Sequence, residues 1–267
     1  MKIKILFFLV LLSFAVSLPS KDPVEVIAKE ETSDWAEIKV GKRCVLLNNV
    51  WNKNAAKGKY FQRIFTGKSD GKDIFGWSWD WKGTDKWVVA YPEVGCGDSP
   101  WAAKKNFAPE FPFKAGSKKV TASIDASIEA DGKYNMTFQI WAVSKLPAVK
   151  ENITHEIMIW NFNKTSDSWS WAVNRGTLVS GGVTYDVYEK KIHGDDSGAH
   201  TNKWSYTAFV ARTPILKGVF NIDEFFDFMI KNNMLKTDNY ITNIDIGNEI
   251  WYGKGTVKIQ KYEVIVY

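Results

Sequence analysis

The sequence has few cysteines and histidines and no hydrophobic run long enough to span a membrane beyond its N-terminus. Two cysteines exclude a disulfide-dense small protein, and 45% hydrophobic residues exclude a disordered or collagen-like chain. The lysines and arginines are scattered and are not interleaved with aromatic residues, so we expect no nucleic-acid partner. No Gly-x-Ser-x-Gly stretch occurs, and a serine or thiol nucleophile therefore has no support.

The N-terminus has the pattern of a secretory signal peptide. Lys2 and Lys4 precede a charge-free apolar run over 5–16, which is too short for a spanning helix, and small residues follow. We therefore predict a signal peptide over 1–20 and an exported, extracellular protein. Without those two lysines, 33 basic residues face 30 acidic ones, a net charge of +3. We expect a monomer that has no membrane contact after cleavage.

Export implies an oxidising compartment, in which Cys44 and Cys96 should form one disulfide. In the chain-entropy model a loop of about 50 residues makes such a bond worth about 3–4 kcal/mol. In a eukaryotic host, the sequons at Asn135, Asn152 and Asn163 could carry glycans.

Aromatic residues are more abundant than a core of this size requires. The chain has 13 tryptophans, 16 phenylalanines and 10 tyrosines. Flat, amphipathic rings in excess are typical of carbohydrate-binding clefts.

Short alternating segments dominate the chain. Apolar and polar residues alternate without a break over 120–130, Asp131-Gly132 has turn chemistry, and 134–143 continues as the return strand of a predicted hairpin. Many short strands predict an all-β sandwich or jelly roll. The further predicted strands are 43–51, 76–81, 86–91, 155–160, 183–190, 203–211, 240–247 and 256–266.

One segment has helical periodicity and one stretch has no pattern. Ile222, Phe225 and Met229 share a helix face, and Asn221 followed by Glu224 resembles a capping box, so we predict a helix over about 221–233. We interpret 21–38 as an unpatterned leader and 39–267 as one domain without linker or internal repeat.

Two glutamates lie next to aromatic residues. On a strand, Glu156 shares its face with Met158 and Trp160, opposite two isoleucines. Glu249 precedes Trp251 by two positions. Hydrolysis of a glycosidic bond requires at least two carboxyl groups, and here both are surrounded by aromatic side chains. For Glu156 alone, an incidental surface glutamate is an equally good interpretation.

Several motifs together resemble glycoside hydrolase family 12, the endo-β-1,4-glucanases and xyloglucan-specific endoglucanases. The resemblance runs from about Cys44 to the C-terminus. Its motifs are Asn48-Asn49-Val50-Trp51-Asn52, Trp79-Asp80-Trp81, Tyr91-Pro92-Glu93, Ser99-Pro100-Trp101, Glu156-Ile157-Met158-Ile159-Trp160, the strand 206–210 leading into the helix, and Gly247-Asn248-Glu249.

The resemblance implies a β-jelly roll of two curved antiparallel sheets with an open cleft on the concave face. It implies retaining hydrolysis of internal β-1,4-glucosidic bonds, with Glu156 as nucleophile and Glu249 as general acid/base. A retaining pair should lie about 5–5.5 Å apart. The implied partner is a β-1,4-linked glucan. We expect no metal, nucleotide or organic cofactor, because two carboxyls and a water suffice.

The resemblance and strand alternation also suggest residues that bind sugar. Asn49 and Trp51 match residues of the cleft's non-reducing side, and Met158 matches a cleft-floor methionine. We expect at least one of Trp79 and Trp81 to line the cleft, the alternative being that they fill the core. Further candidates are Tyr91, Trp101 and Trp251.

Two positions depart from the family pattern. Gln139 stands where the family usually has an Asp or Glu that contacts the nucleophile, and an amide cannot share a proton with it. Asn248 replaces a commoner threonine. Gln139 keeps open a weakly active or non-catalytic carbohydrate-binding protein, and a β-1,4-xylanase is a third possibility.

The stretch 193–200 contains His193, Asp195, Asp196 and His200 but reads as a solvated loop.

Overall fold

A computed structural model describes residues 25–101, 108–166 and 168–267. The predicted signal peptide lies outside the described residues. Within them the chain forms sixteen β-strands and one α-helix, α1 (Ile222–Lys231). The strands are β1 (Glu25–Glu31), β2 (Glu37–Val40), β3 (Cys44–Leu47), β4 (Phe61–Ser69), β5 (Lys72–Trp81), β6 (Glu93–Gly97), β7 (Phe113–Lys114), β8 (Val120–Val143), β9 (Ile153–Asn163), β10 (Val173–Ser180), β11 (Val183–Gly194), β12 (Lys203–Ala211), β13 (Lys217–Asn221), β14 (Tyr240–Ile241), β15 (Asn243–Gly247) and β16 (Ile250–Val266).

The strands build two curved sheets that share β8, which is the β-jelly roll expected from the sequence. Sheet A has the order β1-β4-β5-β16-β8-β13. Sheet B has the order β2-β3-β6-β15-β8-β9-β12-β11-β10. The expectation of purely antiparallel sheets is wrong at one place, because β12 pairs with β9 in parallel.

The predicted hairpin at Asp131-Gly132 is wrong. β8 runs through this dipeptide as one strand of 24 residues, and it pairs with β16 over most of its first half. Gly132 and Gly253 are register partners, both with positive φ. A Cβ on Gly132 would lie 2.3 Å from the carbonyl oxygen of Tyr252. The glycines are therefore needed because the backbones of β8 and β16 approach closely there, just before β8 passes from sheet A to sheet B.

The stretch 21–38, interpreted as an unpatterned leader, contains β1 and the first residues of β2. β1 pairs antiparallel with β4, and β2 pairs antiparallel with β3. Six of the seven β1 side chains are exposed, because β1 is an edge strand with no core to face. A strand that buries neither face has no alternation that sequence analysis can detect.

The other predicted strands agree in part with the observed ones. The strand 203–211 is confirmed, and most predicted strands overlap an observed one. The stretch 86–91 contributes only an isolated bridge from Ala90 to Ile250. The strands that the patterns missed are β1, β2, β4, β6, β7, β10 and β13.

The core lies between the two sheets and under α1. The helix buries the predicted stripe of Ile222, Phe225 and Met229, together with Phe226 beside it. The Asn221 amide donates to the Glu224 carboxylate at 2.9 Å rather than capping the helix backbone. No helix in the described part of the chain is long and apolar enough to cross a membrane.

The disulfide predicted between Cys44 and Cys96 is present. The two cysteines are register partners on β3 and β6, 52 residues apart in sequence. The bond therefore ties together neighbouring strands of sheet B.

Candidate active site

The candidate site lies on the face of sheet B that points away from the core, called the site face below. On β9, Ile157 and Ile159 belong to the core cluster, as predicted. Alternation then places Glu156, Met158 and Trp160 on the site face. Met158 and Trp160 belong to a second cluster of buried apolar residues there.

Glu156 is held by two neutral donors. Its side chain is only 7% exposed. The amide of Gln139 on β8 donates to Oε1 at 2.8 Å, and the indole of Trp204 on β12 donates to Oε2 at 2.9 Å. Since β8 and β12 are the strands on either side of β9, both oxygens are fixed from opposite sides.

Burial dominates the electrostatics of Glu156. It raises the pKa of this carboxyl from 4.5 to about 7, against the lowering effect of the hydrogen bonds from Trp204 and Gln139. The charges of Asp196 and Asp195 raise the pKa further. His193 Nε2 lies 3.8 Å from Oε2. Burial and the charges of Lys190 and Lys203 lower the pKa of His193 to about 4, so it is neutral near pH 7 and forms no ion pair there.

Glu249 is half-buried and lies in the short connection between β15 and β16. Asn135 on β8 fixes it at three points. The Asn135 amide donates to Glu249 Oε2, and its Oδ1 accepts the Glu249 backbone N–H at 2.9 Å. The Asn135 backbone N–H donates to the Glu249 carbonyl at 3.1 Å.

One strand therefore holds both glutamates. Asn135 and Gln139 share a face of β8 and are four residues apart, which is about 13 Å between Cα atoms in a straight strand. β9 and β15 flank β8, so Glu156 and Glu249 contact this strand from opposite sides. The separation of about 5–5.5 Å required of a retaining pair stays a prediction.

A row of rings connects the neighbourhoods of the two glutamates. Successive ring centroids from Trp251 to Trp160, Trp169 and Trp171 are 6.3, 4.8 and 5.3 Å apart. From Trp171 the contacts continue over Tyr206 and His193 to Trp204, at 5.5, 5.1 and 5.6 Å. The site face is thus lined by rings, the environment that suits a pyranose.

Three predicted sugar-binding residues are not available on the site face. Trp79 and Trp81 are 2% and 1% exposed and belong to the core, because alternation along β5 places Ser78 and Asp80 on the opposite face of the strand. The alternative in which both indoles fill the core is therefore the correct one. Tyr91 is 2% exposed, and its hydroxyl donates to the Thr137 carbonyl at 2.8 Å.

The remaining candidates lie on or under the site face. Trp51 and Trp251 pack in its aromatic cluster, and Met158 is buried beneath those rings. Asn49 donates to Glu93 Oε1 at 3.2 Å and accepts the backbone N–H of Trp51 at 3.1 Å.

Trp101 is half-buried and packs edge-on against Trp141 and Trp204, at 5.5 Å from each.

Asn248, the second departure from the family pattern, is fully buried. It accepts a hydrogen bond from Trp77 Nε1 at 2.8 Å and donates to the Asn135 carbonyl. It therefore supports the connection that carries Glu249.

Sequence reasoning missed Asn135, Trp204, Trp169 and Trp171. Trp204 had a usable signal, because alternation on the predicted strand 203–211 places it opposite the core residue Phe209. Asn135 was noted only as a sequon. Its side chain is 0% exposed and bonded to Glu249, which leaves no room for a glycan. The two other tryptophans lie in a connection without periodicity.

Asp195 organises the loop that follows β11. Its carboxylate accepts hydrogen bonds from the Ser197 backbone and hydroxyl and from the His200 backbone N–H. Among the described residues, no group of three or more His, Cys, Asp or Glu side chains is arranged to hold a metal ion.

A jelly roll with two carboxyl groups on a ring-lined sheet face defines the class of glycoside hydrolases with this architecture. Comparison with known proteins gives the family. The model of Glycosyl hydrolase family 12 matches residues 42–266. The chain belongs to this family and is a glycoside hydrolase.

Curated relatives and solved structures agree with this membership. Endoglucanase S from Pectobacterium parmentieri is 28% identical over 263 residues, covering 97% of this chain and 96% of the relative. Xyloglucan-specific endo-beta-1,4-glucanase A from Emericella nidulans is 23% identical, covering 83% and 85%. The native family 12 xyloglucanase from Bacillus licheniformis has the same fold, with a TM-score of 0.77, 23% identity and coverage of 90% and 100%.

Proposed function

We propose that the protein is a secreted, retaining endo-β-1,4-glucanase. The observation that carries the proposal is the pair Glu156 and Glu249, two carboxyl side chains held over β8 by Gln139 and Asn135 in different environments. Retaining hydrolysis needs two carboxyl groups with different protonation.

The contacts of Glu156 support its assignment as nucleophile. Both oxygens accept N–H bonds, and an indole N–H can only donate. This pattern favours an ionised carboxylate, and it orients that carboxylate for attack on the anomeric carbon. Because burial places its pKa at about 7, the ionised fraction grows as the pH rises through neutrality.

The position of Glu249 supports its assignment as general acid/base. It must protonate the departing oxygen in the first step and deprotonate a water in the second. A half-buried carboxyl beside solvent can do both, whereas an enclosed one lacks access to water. The Asn135 amide holds one oxygen and so orients the carboxyl.

The reaction then proceeds in two displacements. Glu156 attacks the anomeric carbon while Glu249 donates its proton to the leaving glycosidic oxygen, and a covalent glycosyl-enzyme forms. Glu249, now ionised, takes a proton from water, which attacks the same carbon and releases Glu156. The product keeps the configuration of the substrate.

The substrate class rests on the aromatic row and on the relatives. The half-buried ring of Trp51 suits the face of a glucosyl unit, and it packs on the cluster that contains Trp160 and Trp251. The curated relatives are named for endoglucanase and xyloglucan-specific activity, and we infer internal β-1,4-glucosidic bonds of β-glucan, cellulose or xyloglucan as the target here. Secretion rests on the N-terminal signal pattern and fits the disulfide.

A reducing-end assay on xyloglucan and barley-type β-glucan, combined with proton NMR of the first products, tests the proposal. We expect new chain ends on at least one polymer, and the β-anomer should appear before mutarotation. The α-anomer as first product would refute the retaining mechanism. Binding without new chain ends would favour the carbohydrate-binding alternative that Gln139 keeps open.

A further inference from the structure

Trp171 is an unusual residue on the site face because it is large, exposed and held in place. Its side chain is 45% exposed. It nevertheless contacts Trp169 at 5.3 Å and Tyr206 at 5.5 Å, and the Lys190 ammonium lies 5.4 Å from its ring centre. An exposed indole fixed by three neighbours costs little conformational entropy when a ligand binds.

The connection that carries Trp171 is built onto the sheet. Trp169 stacks on Tyr188 with 4.9 Å between centroids and an 11° interplanar angle, and it meets Trp160 edge-on. Trp169 has a φ of +55°, a conformation that non-glycine residues adopt rarely. Packing of the Trp169 ring over the site face offsets that strain. Trp171, two residues further along the chain, then points towards solvent.

Trp171 is also the most exposed ring of the aromatic row. Trp251, Trp160 and Trp169 are 6%, 3% and 6% exposed, whereas Trp171 keeps nearly half of its surface in solvent. The row begins two residues from Glu249, and Tyr206, which Trp171 contacts, is the register partner of Glu156. Of the rings in this row, Trp171 therefore offers the largest free surface to a saccharide.

We propose that Trp171, with Lys190 beside it, is an additional sugar-stacking site that binds a β-1,4-glucan chain beyond the units at the glutamates. The inference rests on the proposed function for its ligand class. The indole offers a hydrophobic face to the C–H groups of a pyranose, and the ammonium can donate to its hydroxyls. The site therefore binds long chains and contributes nothing to substrates too short to reach it.

The test uses Glu156→Gln protein so that the polymer stays intact during binding. Trp171→Ala in this background should weaken binding to xyloglucan or barley-type β-glucan about 3- to 10-fold in affinity electrophoresis, and Trp171→Phe should retain part of the binding. The matched control is Phe61→Ala. Phe61 is 46% exposed but pairs with Asp80 on sheet A, with its side chain away from the core, and its removal should leave binding unchanged.

Kinetics of the active enzyme give a second measurement. In otherwise unaltered protein, Trp171→Ala should raise KM for the polymer with little change in kcat, and it should not affect a short aryl cellooligosaccharide. Equal binding by the Trp171→Ala and parent proteins overturns the site, whatever the turnover assays show. Binding that depends on Trp171 in a protein that releases no chain ends would keep the site and overturn the hydrolase.

Discussion

The neighbourhoods of Glu156 and Glu249 differ although both side chains are carboxyls held over β8. Glu156 lies inside an eleven-residue strand, is 7% exposed and accepts one neutral donor on each oxygen. Glu249 lies in a two-residue connection, is half-buried and is held by Asn135. One residue type is thus placed in a rigid, dry setting and in a solvent-accessible one, and this difference allows two chemical roles.

The largest expected effect comes from removing each carboxyl in turn. Glu156→Gln should lower kcat/KM at least about 10³-fold on both polymer and aryl glycoside, because no nucleophile remains. Glu249→Gln should lose comparable activity on polymer. It should lose much less in the glycosylation step of an aryl glycoside with a good leaving group, which needs no proton.

Rapid-quench measurement of the released aryl group separates the two steps. A burst in the Glu249→Gln protein and none in the Glu156→Gln protein is the expected result. The reverse pattern would exchange the two roles and contradict the comparison drawn above.

The second effect is on stability. Burial raises the pKa of Glu156 to about 7, so the folded state binds this proton more tightly than the unfolded state does. The contribution of Glu156 to the free energy of unfolding is therefore fully favourable below about pH 4.5, and it is lost as the pH rises towards 7. Glu156→Gln should therefore match the parent protein at pH 4 and exceed its free energy of unfolding by up to about 3 kcal/mol at pH 8.

Denaturant unfolding at both pH values provides the measurement. Glu249→Gln, which removes the less buried carboxyl of the pair, is measured beside it. A gain of the same size in the Glu249→Gln protein would show that the effect does not come from the burial of Glu156.

Much of the Glu156 neighbourhood was predictable, because it lies on strands that bury one face. Alternation in 155–160 places Glu156 and its neighbours opposite the core, and the family resemblance identifies Gln139 as its partner. The same rule could have found Trp204. The predictions failed where the alternation of apolar and polar residues does not show which face of a strand is buried. β1 buries neither face, and in β5 it cannot say whether Trp79 and Trp81 face the core or the cleft.

Long-range pairing was the other source of error. Asp131-Gly132 is a residue pair typical of turns, yet pairing of β8 with β16 keeps the chain extended there, and Gly132 allows the close backbone approach to Gly253. In the same way, Asn135 meets Glu249, 114 residues away, only once β15 and β8 have paired. Such contacts depend on sheet order, which local patterns do not specify.

A more moderate effect is expected from the indole that holds Glu156. Trp204→Phe keeps a ring in the cluster but removes the N–H donor to Oε2. The ionised form loses one hydrogen bond, so the pKa of Glu156 should rise and the acid limb of the kcat/KM profile should move to higher pH. We expect about a 10-fold loss of kcat/KM at pH 6, and less at pH 8.

Trp101→Phe is the matched control for this change. Trp101 packs edge-on against Trp204 but donates no bond to Glu156, so its replacement should leave the acid limb in place. His193, Asp195 and Asp196 also face Glu156 and remain in both proteins. A shift of equal size in both variants would show that ring packing, and not the N–H donor, governs protonation of Glu156.

The smallest change in peak rate is expected from Gln139→Glu, which places a carboxyl where the family usually has one. Two carboxyls at this 2.8 Å contact share one proton, and the pair titrates in two steps. The active form has Glu156 ionised and its partner protonated, so activity should extend to lower pH and fall at higher pH, where both groups ionise. We expect a peak kcat within a few-fold of the parent value, with an optimum at more acidic pH. A pH profile of kcat/KM that keeps its acid limb would mean that the partner on β8 does not influence protonation of Glu156.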